Sequence, residues 1–125
     1  MRGVGTDLVD IPRFRAALGR RPGLADRLFS PAERAYAARF ADPMPRLAAR
    51  FSAKEALMKA LGVGLGAIDF HDVEVTNRAS GQPELVVRGR AATLASAQSV
   101  TGWRLSLSHT DSTAMAMVVA MEWVA

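Results

Sequence analysis

The stretch Phe51-Ser52-Ala53-Lys54-Glu55-Ala56-Leu57-Met58-Lys59-Ala60-Leu61-Gly62 constrains this chain more than any other. It reads as the C-terminal part of an amphipathic helix. At about 100° per residue, Ala53, Ala56, Leu57, Ala60 and Leu61 fall on one apolar stripe, and Glu55 and Lys59 project from the opposite side. The stretch also holds both lysines of a chain whose fourteen other basic residues are all arginine. Glu at i with Lys at i+4 is the favoured order for a surface ion pair, and such pairs carry little energy. A carboxylate and an ammonium presented together also suit a metal-bound phosphate, so the choice between the two rests on what accompanies them.

With 125 residues, 50% of them hydrophobic, the chain is expected to form one domain over residues 1–125 with a substantial core. The absence of cysteine excludes disulfides and Cys-based zinc sites and fits a cytoplasmic protein. Asp7 interrupts the N-terminus before an apolar signal-peptide region can form. No apolar run approaches the ~20 residues of a membrane span, so no membrane partner is expected. A formal net charge of +4 implies an acidic partner. Nucleic acid fits poorly, because the arginines are dispersed and the aromatic residues are not interleaved with them as stacking platforms.

Residues 2–9 read as a strand with Gly3, Gly5 and Asp7 on one face, Asp7 near its end. Asp10 N-caps a helix that has Pro12 in its first turn and ends near Gly19. A short helical piece covers residues 24–29. Ser30-Pro31-Ala32-Glu33 is a capping box opening a helix to about Phe40. The motif helix spans about 45–61 and stops at Gly62. The period then changes from helical to alternating. Phe70–Thr76 and Glu84–Arg88 read as strands around a turn at 77–83, residues 90–100 as a helix, and 103–108 and 114–121 as strands, with Leu105 and Leu107 facing the core. This is an α+β pattern with a mainly antiparallel sheet.

Several groups could carry chemistry. Asp7, beside glycines that admit a close neighbour, is either a helix-capping acid or, with Glu55, one of two ligands for a hard cation. Gly62, Gly64 and Gly66 are either a helix stop and turn or a loop that lets backbone approach a nucleotide; they match neither dinucleotide nor Walker fingerprints. Ser108 and His109, at a strand end, are either a surface loop or donors to a phosphate or purine. There is no G-x-S-x-G elbow for a serine hydrolase. Arg13, Arg20 and Arg27 are either a solvated face or a dock for an acidic protein.

Three motifs, in order, resemble the small 4′-phosphopantetheinyl transferases that convert apo acyl carrier proteins to their holo form. They are Gly3-Val4-Gly5-Thr6-Asp7-Leu8-Val9-Asp10-Ile11-Pro12-Arg13, the central Phe51-x-x-Lys54-Glu55-Ala56-x-x-Lys59-Ala60 helix, and Leu105-Ser106-Leu107-Ser108-His109-Thr110. The departures are Thr6, where the family usually has an apolar residue, and the connector Met44–Leu47. The resemblance implies a transferase-like domain that assembles as a homotrimer, with active sites at subunit interfaces. The implied reaction moves the phosphopantetheine arm of coenzyme A to a serine of acyl carrier protein, with magnesium on the diphosphate. Asp7 and Glu55 would be the metal ligands and, with Lys59, the catalytic set. Arg50, Lys59, Gly62, Gly64, Gly81, Pro83, Ser108 and His109 would hold coenzyme A, and Arg13, Arg20 and Arg27 would meet the acidic carrier. The general base is either Glu55 or a metal-bound water. A non-catalytic coenzyme A- or carrier-binding module of the same fold is the alternative function.

Overall fold

The computed structural model describes residues 1–123. The elements run β1 (Gly3–Asp10), α1 (Ile11–Arg20), α2 (Leu24–Leu28), α3 (Pro31–Ala37), α4 (Met44–Leu61), a 3-10 turn (Phe70–Asp72), β2 (Val73–Asn77), β3 (Pro83–Val87), α5 (Gly89–Ala97), β4 (Gly102–His109) and β5 (Thr113–Met121). The strands form two antiparallel sheets, one ordered β1-β5-β4 and the other the hairpin β2-β3. The α+β class and the antiparallel pairing are as the sequence implies.

Local chemistry sets the helix ends. Asp10 caps α1, its Oδ2 accepting from the Arg13 amide at 2.9 Å. Ser30 and Glu33 form the full capping box of α3. Gly62 ends α4 in the left-handed region at φ 70°, which glycine reaches without strain.

α4 lies across the three-stranded sheet at backbone contact. A Cβ on Gly3 would stand 2.0 Å from the Ala60 carbonyl oxygen, and one on Gly5 would stand 1.9 Å from that of Ala56. Ala114, Ala116, Val118 and Ala120 of β5 are buried beneath the helix, so small residues on both sides let the layers close up. Between Ser52 and Leu61 only Glu55 and Lys59 escape burial, because α1, α3 and the β2–β3 hairpin cover the helix side away from the sheet. The one-sided amphipathic reading is therefore too narrow: α4 has two packed faces.

The second packed face buries an ion pair. Lys54, wholly buried, donates from Nζ to Glu33 Oε1 at 2.8 Å, to the Leu28 carbonyl at 2.7 Å and to the Phe70 carbonyl at 3.0 Å. Glu33 in turn accepts from the Ser30 amide and, on Oε2, from the Val75 amide, each at 2.9 Å. Every proton of the ammonium is used, which is the condition for a charge to be held inside a core.

Some boundaries differ from the sequence reading. β1 runs to Asp10, so Asp7 lies within the strand instead of at its end. Residues 70–72 are a 3-10 turn, not strand, because the Asp69 carboxylate caps the His71 amide at 2.8 Å. α3 stops at Ala37 and closes with Arg39 and Phe40 amides bonded back to Tyr36 and Ala37. α5 stops at Ala97, and Ser99 turns the chain at φ 61°. Among the described residues no helix is long and apolar enough to cross a membrane.

Candidate active site

The site grows from the contact between α4 and β1. Because the helix runs antiparallel to the strand, Ser52, Ala56 and Ala60 meet Asp7, Gly5 and Gly3 in turn. Ser52 Oγ donates to the Asp7 carbonyl at 2.8 Å. Lys59 Nζ donates to the Thr6 carbonyl at 3.0 Å and to Asp7 Oδ1 at 3.1 Å. Lys59 therefore pairs with Asp7 across the contact and makes no ion pair with Glu55, one turn away on its own helix. Asp7 is mostly covered while Lys59 keeps about half its side chain in water (16% and 55% exposed).

Glu55 stands beside this pair. It and Asp7 line one open cleft of about 520 Å³ together with Asp10, Arg13 and Arg20. Glu55 also lines an adjoining cavity of about 840 Å³, walled by apolar side chains of α1, α2 and the segment after α4. Phe14 and Phe51, stacked at 5.4 Å, border both spaces. Partial burial raises the Glu55 carboxyl above its ordinary range, the Asp7 charge pushes it further in the same direction, and Lys59 opposes them. A carboxylate under that pressure is one that a cation would relieve.

That observation tests the fit of a metal. Among the described residues no group of three or more His, Cys, Asp or Glu side chains is placed to hold an ion. Of the three acids that line the cleft, Asp10 is engaged in capping α1, and the other two, Asp7 and Glu55, suit magnesium, which takes one or two protein carboxylates and fills its shell with waters and substrate phosphates.

The sequence-derived candidates fall into two groups. Asp7, Glu55, Arg13 and Arg20 share the first cleft, Lys59 joins them through Asp7, and Arg27 lines the adjoining cavity. The remainder lie elsewhere. His109 ends β4, exposed, and β5 separates that strand from β1; Ser108 precedes it. Gly81 and Pro83 lie in and after the β2–β3 turn, where Pro83 borders a third cleft. Gly62 caps α4, and Gly64 accepts from the Ala67 amide. Leu65 and Gly66, and not Gly62 or Gly64, face the larger cavity. Arg50 is buried, stacked over Tyr36 at 4.2 Å, and donates from Nη2 to Asn77 Oδ1 at 2.7 Å; its Nε is buried without a partner. Burial lowers its guanidinium below the ordinary arginine range.

Sequence reasoning missed the apolar wall of the site: Phe14, Leu24, Leu28, Ile68 and Phe70 carry no chemical signal, and only folding gathers them beside Glu55. It also missed Ser52, whose hydroxyl fastens α4 to the Asp7 backbone.

The family model for the 4′-phosphopantetheinyl transferase superfamily matches residues 3–118. The chain belongs to that superfamily. A Frankia alni relative named holo-[acyl-carrier-protein] synthase is 49% identical over 118 residues, covering 94% of this chain and 95% of its own length. The solved holo-[acyl-carrier-protein] synthase of Neisseria meningitidis superposes with a TM-score of 0.85 at 32% identity, over 97% of this chain and 98% of that one. The Helicobacter pylori synthase, solved in complex with coenzyme A, superposes with a TM-score of 0.83 at 27% identity, over 94% of this chain and 99% of that one. The transferase resemblance read from the three motifs is thus borne out along nearly the whole chain.

Proposed function

We propose that this chain transfers the 4′-phosphopantetheine arm of coenzyme A to a serine hydroxyl of an apo acyl carrier protein, releasing adenosine 3′,5′-bisphosphate. The observation that carries this reading is the convergence of Asp7, Glu55 and Lys59 at the contact of β1 and α4, in a cleft open enough for a diphosphate. No protein nucleophile is needed, since the attacking oxygen comes with the carrier.

The carrier serine oxygen attacks the phosphorus that bears the pantetheine arm, and the bond from that phosphorus to the bridging oxygen breaks. The bridging oxygen leaves with the adenosine 3′,5′-bisphosphate. Catalysis of this kind is mostly alignment and charge compensation. Magnesium, when bound, would supply a Lewis acid on the diphosphate, held by Asp7 and Glu55. Lys59 is close enough to Asp7 to swing its ammonium onto the diphosphate while staying tethered by the Thr6 carbonyl. The serine proton passes to Glu55 or to a water.

The basic residues of α1 and α2 fit the acidic carrier. Arg13 and Arg20 line the reaction cleft and Arg27 the adjoining cavity, so a carrier steered onto them would present its serine beside Glu55. Coenzyme A is the co-substrate, and we assign its adenosine and 3′-phosphate end to Arg50, Gly62, Gly64, Gly81, Pro83, Ser108 and His109. The unpartnered Nε of Arg50 is consistent with an acceptor arriving there. His109 shares a register row with Val9 of the first cleft, with Ala114 between them, but does not line that cleft, which agrees with a site completed by a neighbouring copy. The open face of the β1-β5-β4 sheet supports such an assembly, a homotrimer: Val4, Leu8, Met115 and Met117 are 49%, 70%, 38% and 42% exposed on it. We place the enzyme in the cytoplasm, with its co-substrate.

The test is incubation with coenzyme A, magnesium and apo acyl carrier proteins, followed by intact-mass measurement. A gain of one phosphopantetheine on a carrier supports the assignment; coenzyme A binding with no gain on any carrier assigns the chain to the non-catalytic alternative.

A further inference from the structure

Lys54 has no role in the transfer outlined above, although it directly precedes Glu55 in the motif. Its ammonium reaches three separate segments: the last residue of α2 through the Leu28 carbonyl, α3 through Glu33, and the 3-10 turn through the Phe70 carbonyl. Leu28 and Phe70 are also walls of the 840 Å³ cavity that Glu55 borders. One side chain thus joins two walls of that cavity to the helix that carries the acid.

We propose that Lys54 is a positioning residue for Glu55, fixing where that carboxylate stands relative to Asp7 and to the cavity walls. This rests on the transferase reading of the site.

The helix is held on both sides. Opposite Lys54, Ala56 and Ala60 touch Gly5 and Gly3 at backbone distance. Loss of the Lys54 anchor frees α4 to roll on that contact. A roll of about 10° moves a carboxylate roughly 7 Å from the helix axis by about 1 Å, and a misplacement of that size can cost as much as ~10²-fold in rate. Stability alone gives a weaker account of the pair, because replacing a buried ion pair by apolar residues of similar volume is often neutral or stabilising.

The test compares K54M/E33Q and K54R with the wild-type protein. E33Q keeps the capping box, since glutamine serves at that helix position as glutamate does, and the double variant leaves no lone buried charge. K54R keeps the charge, but a planar fork cannot supply three divergent donors. Folding is checked by circular dichroism and thermal melting. The readouts are kcat for arm transfer and Mn²⁺ affinity measured by loss of the free-ion EPR signal. A folded variant is expected to lose at least tenfold in kcat and at least fivefold in Mn²⁺ affinity. Wild-type kcat and wild-type Mn²⁺ affinity in either folded variant would overturn the proposal. If K54M/E33Q melts below the assay temperature, K54R carries the same comparison. A wild-type protein that binds Mn²⁺ but transfers no arm would sink the transferase reading and still leave the Mn²⁺ comparison to judge Lys54.

Discussion

Gly5 faces the carbonyl oxygen of Ala56 so closely that a methyl group on Gly5 would lie 1.9 Å from it. The obstacle is helix backbone, which cannot swing aside as a side chain could. Gly5→Ala is therefore expected to destabilise the protein by about 3 kcal/mol, at the upper end for overpacking. Activity should fall further than the folded fraction does, because α4 must lift away from Asp7. Chemical denaturation alongside transfer assays checks both.

Lys59→Met should separate chemistry from stability. Lys59 is half in water but Asp7 is mostly covered, so losing the pair should lower the melting temperature modestly, by less than the loss of a fully buried partner would. The loss of charge on the diphosphate should lower kcat by about 10²–10³-fold, as for other groups that stabilise developing charge. A variant with near-normal kcat would remove Lys59 from the reaction.

Glu55→Gln should abolish transfer and yet stabilise the metal-free protein at neutral pH. The folded state raises the Glu55 carboxyl, so its ionised form is the disfavoured one. Stability linked to this group is fully present below the unfolded carboxyl range and is lost as pH rises through the folded value. The melting temperature of Glu55→Gln should thus exceed that of wild type at pH 7, and the two should converge below about pH 4. Added magnesium should raise the wild-type melting temperature and leave the variant unmoved.

Arg13→Glu places an acid at the mouth of the cleft. The KM for the carrier should rise about tenfold or more, with coenzyme A affinity unaffected, and the effect should shrink as salt is raised. An unchanged carrier KM would mean that the acidic partner docks elsewhere.

Met117→Lys puts a charge in the middle of the open sheet face, opposite Thr6 on β1 and Ser106 on β4. If a neighbouring copy covers that face, light scattering should show monomers and transfer should be lost together. A variant of unchanged mass would show that the face is not an interface.

What could be read from the sequence was what short-range chemistry decides. Asp10, Ser30 with Glu33, and Gly62 announce helix ends because a cap acts on amides within three residues of itself. Glu55 and Lys59 are legible because the chain's two lysines flank a glutamate in one short stretch, and Asp7 because it shares a strand face with glycines. Long-range packing hid the rest. Nothing near Lys54 reveals that Glu33, 21 positions earlier, waits inside the core to receive it. The apolar part of the cavity wall is made of ordinary residues from four parts of the chain. His109 and Arg50 show the converse: their motifs are legible, but one chain does not bring them to Asp7.

The glycine–alanine seam between β1 and α4 has a further consequence. At Gly3 and Gly5 no larger side chain fits against the helix backbone, and at Asp7 the Ser52 hydroxyl holds the seam closed, so little along it can be exchanged without moving Asp7 relative to Glu55. New partner or donor preferences could then arise only at the periphery, on α1 and the loops. The acid pair would persist as a fixed unit while its surroundings diversify.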